Sequence, residues 1–174
     1  MPLTVAAYVM RPIEARDAQF IIDLHAAQHV RELLVGPTLE LLQRGIAASA
    51  ADQWIVLDGD ERVGMIIYAR LEPWLFEIRR MIALHEGRGI GSFALAFALD
   101  DIFEMHKAHR AYLEVHAKNM RARALYQRFG FRYEGAYRNG AVNPLTGAYE
   151  DLCIYGLLED SFRSKKTTRR QSQR

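Results

Sequence analysis

The stretch that decides the fold runs from Trp74 to Glu104 and reads WLFEIRRMIAL, HEGRGIGS and FALAFALDDIFE. It predicts a strand, a glycine loop and a helix. Three glycines at alternate positions, Gly87, Gly89 and Gly91, let the backbone turn sharply and approach a ligand without Cβ atoms in the way. Because the loop runs directly into a helix, the unpaired first N–H groups and the positive end of the helix dipole converge on one point. Such a point suits a phosphate.

The loop lacks the residues of two common phosphate-binding motifs, and this narrows the set of phosphate ligands that it could bind. A P-loop ends in Gly-Lys-Ser or Gly-Lys-Thr, whereas Gly91 is followed here by Ser92 and Phe93. A Rossmann loop has Gly-x-Gly-x-x-Gly after the first strand of its unit, but here the spacing is Gly-x-Gly-x-Gly and three strands are predicted ahead of it. The glycine pattern taken alone is equally typical of a tight turn.

The segment Glu86 to Gly91 resembles motif A of the GNAT N-acetyltransferases, Gln/Arg-x-x-Gly-x-Gly/Ala. In that superfamily the loop binds the pyrophosphate of acetyl-CoA. Glu86 departs from the motif, and we expect its acidic side chain to point to solvent. The resemblance therefore implies that binding falls to Arg88 and to the backbone of four loop and helix residues, Gly89, Ile90, Gly91 and Ser92.

A second segment, NMRARALYQRFGF (119–131), resembles the family signature Asn-x-x-Ala-x-x-Leu-Tyr followed by Gly-Phe. Asn119 is a good helix N-cap, and Gly130 is placed to end the helix. The resemblance implies that Asn119 and Tyr126 also contribute to the cofactor site. Taken alone, Asn119 could be only a cap and Tyr126 only a core aromatic residue.

The two motifs together imply an α/β (α+β) GNAT fold, with a mixed, mostly antiparallel sheet of six to seven strands, a splayed central pair and about four helices. Periodicity predicts strands over 3–12, 53–57, 62–71, 74–84, 109–116, 131–138 and 148–158, and helices over 17–30 and from the cap Thr38 to about 51. Alternation slips at Arg79 and Arg80, which indicates a β-bulge or two solvent-facing arginines. In the family such a bulge opens a V-shaped gap, and an N–H near Met81 or Ile82 meets the thioester carbonyl.

The charge of the chain is distributed unevenly. Residues 163–174 hold six of the 23 Lys and Arg residues and none of the 21 Asp and Glu residues, so residues 1–162 are net acidic. We interpret 1–162 as a single acetyltransferase domain and 163–174 as a basic, disordered tail. The single Cys153 and the lack of a long apolar run predict a cytoplasmic protein without a membrane span. Nucleic-acid binding is not expected of the tail, and a homodimer is compatible with the resemblance.

The resemblance implies direct transfer of an acetyl group from acetyl-CoA to a primary amine, without a metal. The acceptor would be a small molecule or a peptide N-terminus, as in the branch that contains ribosomal-protein N-terminal acetyltransferases and their small-amine relatives. Tyr126 is predicted to protonate the leaving thiolate, and Glu77 to act as the general base through water. Other candidate bases remain open: Glu114, His116, Glu134, Glu150 and Asp151. Candidates for acceptor contact on the first helical pair are Gln28, His29, Arg31 and Glu32.

Two other functions are compatible with parts of the sequence. A GNAT-fold module could bind acetyl-CoA without catalysis, as a sensor or scaffold, although the presence of Tyr126 argues against it. A pyridine-nucleotide enzyme could use a glycine loop, but the order of the motifs is wrong for one.

Overall fold

A computed structural model of the chain describes residues 8–34, 36–48 and 51–171. Seven strands lie within these ranges: β1 (Tyr8–Pro12), β2 (Ala51–Asp58), β3 (Glu61–Glu72), β4 (Leu75–Ala83), β5 (Arg110–His116), β6 (Arg132–Val142) and β7 (Tyr149–Leu158). The α-helices in the same ranges are α1 (Ala18–Ala26), α2 (Leu39–Ala48), α3 (Ile90–Asp100), α4 (Met120–Phe129) and α5 (Glu159–Gln171). A 3₁₀ turn (Ala15–Asp17) precedes α1, and a π-helical segment (Asp101–Met105) follows α3.

The strands form one sheet in the order β1-β2-β3-β4-β5-β7-β6. The pairs β1–β2, β5–β7 and β6–β7 are antiparallel, and β4–β5 is parallel. The parallel ladder joins Leu75–Ile78 to Arg110–Leu113, while β4 itself continues to Ala83. The predicted α+β class and the mostly antiparallel sheet are confirmed. The bulge at Arg79 and Arg80 stays a prediction, and it falls directly after the last residue of this ladder.

The chain divides into two compact units, and β3 and β4 each supply residues to both. The first unit comprises Met1–Tyr68 and Arg80–Ala98, and the second comprises Ala69–Arg79 and Leu99–Arg174. The boundaries predicted from composition, 1–162 and 163–174, stay a prediction. None of the helices in the described ranges combines the length and the apolar content that a membrane crossing requires.

In the first unit, α1 buries one face against strands. Ile21 and Leu24 of α1 belong to one cluster with Ile55, Met65 and Ile82, and each of these five residues is at most 4% exposed. The period of the two α1 residues, i and i+3, is that of a helix with one apolar face. This packing fixes α1 against the last residues of β4.

A buried carboxylate closes the N-terminal end of α1. Asp17 is fully buried, and its two oxygens accept hydrogen bonds from Arg11 at 2.6 and 2.7 Å. Arg62 Nε and the Glu14 N–H each add a hydrogen bond of 2.8 Å. Because a buried charge is costly unless it is paired, this set of donors explains why Asp17 is tolerated there.

The second unit is built around β5 and β7. Ala111, Leu113 and Val115 of β5 are buried, as the predicted alternation requires, and Leu113 lies opposite Tyr155 of β7. The aromatic rings of Phe103 and Phe162 stack with their centroids 4.8 Å apart. This stack anchors the start of α5.

Two predicted helix ends were wrong. Helix α1 stops at Ala26 instead of Val30, because Ala27 turns to an extended conformation with ψ 140°. Helix α2 stops at Ala48, and Ala51 already belongs to β2. Leu39, at the start of α2, is 45% exposed. The predicted first residues of β1, at 3–7, lie outside the described residues.

The predicted disordered tail was also wrong for the residues that the structure describes. The chain does not become coil at Arg163. Instead, α5 continues to Gln171. Arg163 forms an i,i+4 ion pair with Glu159, and Lys166 Nζ lies 2.6 Å from Asp100 Oδ1 and 5.3 Å from the centre of the Phe162 ring. The composition of the segment concealed this helix, because its charges are balanced by acidic residues elsewhere in the chain.

Candidate active site

The glycine loop turns as its sequence predicts. Gly87 has φ +78° and Gly89 has φ +81°, values that side chains other than glycine rarely adopt. Apart from the adjacent residues, no heavy atom of the described residues lies within 4 Å of the position that a Cβ would take at either glycine. Glu86 is exposed, as predicted. The loop therefore leaves open space beside its backbone, which fits the approach of a phosphate group.

Close packing fixes the start of α3. Ile90, the first helical residue, is 2% exposed, and a Cβ on Gly64 of β3 would stand only 2.9 Å from Ile90 Cγ2. The first helical hydrogen bond runs from Phe93 N to Gly89 O at 2.9 Å. The amides of the three residues ahead of Phe93 consequently have no carbonyl of the helix to bond, and they are free to bind an anion.

Tyr8 holds this loop and was missed in the sequence. Its hydroxyl donates to Arg88 O at 2.8 Å, and its ring lies 5.5 Å from that of Phe93. The Arg88 side chain is exposed. Eighty positions separate Tyr8 from Arg88, so no local pattern could have indicated the contact.

The last residues of β4 are held by two histidines near the C-terminal end of α1. His25 Nε2 lies 2.9 Å from Arg80 Nη1, and His29 Nε2 lies 2.9 Å from Ala83 O. Between them, Met81 is half-buried and Ile82 is 4% exposed. Arg80 is thus half-buried and hydrogen-bonded, which excludes the reading of two solvent-facing arginines. The other candidates for acceptor contact, Gln28, Arg31 and Glu32, are exposed.

In the second unit, α4 has the predicted caps. Asn119 Oδ1 accepts a hydrogen bond from Ala122 N at 3.1 Å, and Gly130 ends the helix with φ +99°. Tyr126 is 8% exposed, and its ring meets that of Phe131 edge to face at 5.9 Å. Burial raises the pKa of Tyr126 to about 12, so the hydroxyl keeps its proton at neutral pH. It has no hydrogen-bond partner among the residues that the structure describes.

Glu77 and Glu114 face the same side of the sheet. Glu77 lies opposite Tyr112 in the parallel ladder, and Glu114 is two residues beyond Tyr112 on β5. Arg79 Nε donates to Glu77 Oε2 at 2.9 Å. Desolvation, followed by the charge of Glu77, raises the pKa of Glu114. Glu77 therefore has a cationic partner, whereas Glu114 is the carboxylate whose pKa moves toward neutral pH.

The remaining candidate bases have other partners. Glu134 forms a two-pronged ion pair with Arg110, which lowers the pKa of Glu134. That pair passes over Gly156, where a Cβ would stand 2.7 Å from Arg110 Nη1. Asp151 Oδ1 accepts from Asn139 N at 2.9 Å. These contacts make both carboxylates weaker candidates for proton abstraction.

Glu150 is occupied in the same way. It accepts hydrogen bonds from Lys118 Nζ at 2.8 Å and Asn143 Nδ2 at 3.1 Å, and it lies 2.9 Å from His116 Nδ1. The bonds from Lys118 and His116 lower the pKa of Glu150 to about 2. A carboxylate so strongly acidic is a poor proton acceptor near neutral pH.

Comparison with known families agrees with these observations. Residues 18–131, which include α1, the glycine loop, α3 and the whole of the second motif, match the family model for the acetyltransferase (GNAT) family. The chain belongs to the GNAT acetyltransferase family. The sequence-based identification and the expected fold are thereby confirmed.

Two curated relatives of this GNAT chain are named as N-acetyltransferases. It is 37% identical over 51 residues to the spermine/spermidine N(1)-acetyltransferase of Bacillus subtilis, a match that covers 29% of this chain and 34% of the relative. It is 41% identical over 69 residues to the phosphinothricin N-acetyltransferase of Streptomyces coelicolor, covering 40% and 39% of the two chains. The matches thus span only about a third of the length of each relative.

Solved GNAT structures share the fold over nearly the whole chain. The spermidine N-acetyltransferase of Vibrio cholerae, in complex with CoA and spermine, superposes with a TM-score of 0.79 at 22% identity, covering 90% of this chain and 98% of that one. A probable GNAT acetyltransferase of Chromobacterium violaceum gives a TM-score of 0.77 at the same identity. At this identity the likeness establishes the fold.

Proposed function

We propose that this GNAT protein is an N-acetyltransferase that moves the acetyl group of acetyl-CoA directly to a primary amine on a small molecule. The observation that carries the proposal is the glycine loop, where Gly87 and Gly89 leave open space directly ahead of the free amides of α3. A peptide N-terminus is the other acceptor that the sequence leaves open. Both curated relatives are named for small amines, which favours the small-molecule acceptor.

The residues of the loop fit a pyrophosphate. The amides of Ile90, Gly91 and Ser92 would donate to its oxygens, and the guanidinium of Arg88 would add positive charge. Asn119 is expected to complete the cofactor site, and an N–H of Met81 or Ile82 would bind the carbonyl oxygen of the thioester. Acetyl-CoA supplies the activated acetyl group.

We assign the removal of a proton from the acceptor to a carboxylate on the sheet face that carries Glu77 and Glu114. An ammonium group cannot attack a carbonyl until it loses a proton, and a nearby carboxylate attracts the ammonium as well as accepting that proton. Glu77 remains a candidate, and Arg79 Nε donates a hydrogen bond to its Oε2. Glu114 has the raised pKa that suits a base near neutral pH, so we place it beside Glu77.

Tyr126 is proposed to donate a proton to the sulfur that leaves. Its hydroxyl is protonated at neutral pH, as that of an ordinary tyrosine is, and burial raises its pKa further, to about 12. The absence of a hydrogen-bond partner among the described residues leaves that proton available. A proton supplied to a thiolate lowers the cost of breaking the carbon–sulfur bond.

Release of free CoA over a panel of amines tests this proposal. The panel should contain polyamines, free amino acids and peptides with free N-termini, each with acetyl-CoA and the full-length protein. Acetylation of at least one small amine is the expected result, with the product identified by mass spectrometry. Acetyl-CoA binding without turnover on any of them would favour a sensor or scaffold instead.

A further inference from the structure

Among the residues that the structure describes, no carboxylate forms an ion pair with Arg80. It lies half-buried on β4, and its one hydrogen bond in the described structure goes to His25, at 2.9 Å. Arg11 and Arg62, by contrast, both pair with the carboxylate of Asp17. The positions outside the described ranges contain no Asp or Glu. Buried charges are normally paired, so Arg80 is an exception within its own unit.

His25 supplies a hydrogen bond to Arg80 but no negative charge. His25 is 4% exposed, and its Nδ1 lies 2.7 Å from Ile21 O, which can only accept a hydrogen bond. Nδ1 must therefore hold a proton, and Nε2 must offer its lone pair to the guanidinium of Arg80. Desolvation lowers the pKa of His25, and the charge of Arg80 lowers it further. The imidazole is neutral and fixes the direction of the guanidinium.

Four N–H donors of Arg80 remain after the bond to His25, because a guanidinium has five. Their planar arrangement matches the two oxygens of a carboxylate, a phosphonate or a phosphinate. Arg80 is also the residue directly before Met81 and Ile82, the proposed donors to the thioester carbonyl. The α1 helix that holds it through His25 is expected to line the acceptor site.

We propose that Arg80, oriented by His25, binds an oxyanion of the acceptor, so that the acceptor is an amino acid or a similar amine that carries a carboxylate near its amino group. This inference rests on the proposed acetyltransferase function and names the class of its acceptor. The pyrophosphate of acetyl-CoA is assigned to the glycine loop, seven residues further along the chain at Gly87, and it is not the anion meant here.

Direct binding tests the oxyanion site without any need for turnover. The Nε–H resonance of Arg80 in ¹⁵N-labelled protein, assigned by its loss in Arg80→Gln, should shift and saturate on titration with an L-amino acid. The same titration with the amine that lacks the carboxylate should leave it in place. Matched pairs are phenylalanine and phenethylamine, tyrosine and tyramine, and lysine and cadaverine. Equal shifts with both members of every pair, or no shift with any amino acid, would overturn the proposal.

Kinetic measurements distinguish the proposed oxyanion site at Arg80 from the broader proposal of acetyltransferase activity. For a carboxylate-bearing acceptor, Arg80→Gln should lower kcat/KM about 10- to 100-fold, mainly through KM, because a charge-assisted hydrogen bond is lost. Arg80→Lys should recover part of that loss, and the exposed Arg70→Gln should match wild type. The affinity for acetyl-CoA should stay unchanged in all three variants. Suppose that amines without a carboxylate have the highest kcat/KM and that Arg80→Gln leaves those values unchanged. The proposed acetyltransferase activity would then be supported, and the proposed oxyanion site would be contradicted.

Discussion

Glu77 of β4 lies directly opposite Tyr112 of β5, in the third of the four residue pairs that join these parallel strands. Tyr112 and Glu114 are two residues apart on β5, so their side chains lie on the same face of the sheet. Glu77, which is paired with Tyr112, lies on that face as well. The charge of Glu77 contributes to the raised pKa of both Tyr112 and Glu114. Removing the charge of Glu77 should therefore lower the pKa of Glu114, although desolvation is the larger cause of its raised value.

This coupling predicts which carboxylate is the base. If Glu114 accepts the proton, Glu77→Gln should move the acidic limb of the kcat/KM profile to lower pH, because removing the charge of Glu77 lowers the pKa of Glu114. Glu114→Gln should then reduce turnover most at low pH, where little free amine is present. Turnover of both variants and wild type from about pH 6 to 9.5 checks this, since tuned catalytic pKa values lie near that range. The opposite pattern would assign the base to Glu77.

Replacing Gly89 should weaken the binding of acetyl-CoA. An alanine there must adopt φ +81°, and its methyl group would enter the open space beside the loop. Gly59→Ala is the matched control, because Gly59 has φ +59° and equally open surroundings in the β2–β3 turn. Both variants should lose about 1–2 kcal/mol of stability from backbone strain. Calorimetry should show a loss of affinity of about tenfold or more for Gly89→Ala alone.

Tyr126→Phe should keep acetyl-CoA binding and lose turnover. The ring would retain its contact with Phe131, and only the hydroxyl would be removed. General acid catalysis contributes about 10²–10⁴ in rate, which sets the size of the expected decrease in kcat. Tyr133→Phe, an exposed tyrosine on β6, should behave as wild type. Undiminished turnover in Tyr126→Phe would leave Tyr126 as a core aromatic residue and nothing more.

Asp17→Asn should destabilise the first unit strongly. The neutral amide would leave Arg11 and Arg62 without a buried counter-charge, a change that typically costs about 3–5 kcal/mol. Burial alone would raise the pKa of Asp17, but the hydrogen bonds from Arg11 and from the Glu14 N–H, with the charges of Arg11 and Arg62, lower it.

The pKa of Asp17 in the folded protein lies below its ordinary value. The Asp17 carboxylate therefore stabilises the folded protein fully at pH values above the ordinary pKa. This stabilisation is lost as the pH falls through the folded-state pKa. Urea unfolding of wild type and Asp17→Asn at several pH values measures this. The difference between the two proteins should shrink at acid pH. A difference that is small and independent of pH would contradict the assigned role of Asp17.

Local patterns predicted the parts of the fold that depend on local rules. The glycine loop, the Asn119 cap and the alternation of β5 follow from backbone conformation and from residue periodicity, and all three were correct. The contacts of Tyr8 with Arg88 and of His25 with Arg80 join residues 80 and 55 positions apart. Such pairs depend on how the strands and helices pack, and a single sequence gives no signal for them.

The same reasoning explains why the sequence predicted disorder at α5 and why it left several candidate bases open. The basic segment after Phe162 lacks apolar residues, so its composition predicted disorder, while its partners Asp100 and Glu104 lie about 60 positions earlier. The sequence favoured Glu77 as the base and left five alternatives open: Glu114, His116, Glu134, Glu150 and Asp151. The structure separates them by partner, because Arg110 binds Glu134 and Lys118 binds Glu150.

Gly156 and the ion pair above it have a consequence for how this sequence can change through evolution. Any side chain at position 156 would collide with the Arg110–Glu134 pair, since even a Cβ would stand 2.7 Å from Arg110 Nη1. A lineage that acquires alanine or a larger residue at 156 must therefore first lose that pair or move it. The three positions should therefore vary together among homologues, because a larger residue at 156 requires the charged ends of Arg110 and Glu134 to move or to be lost.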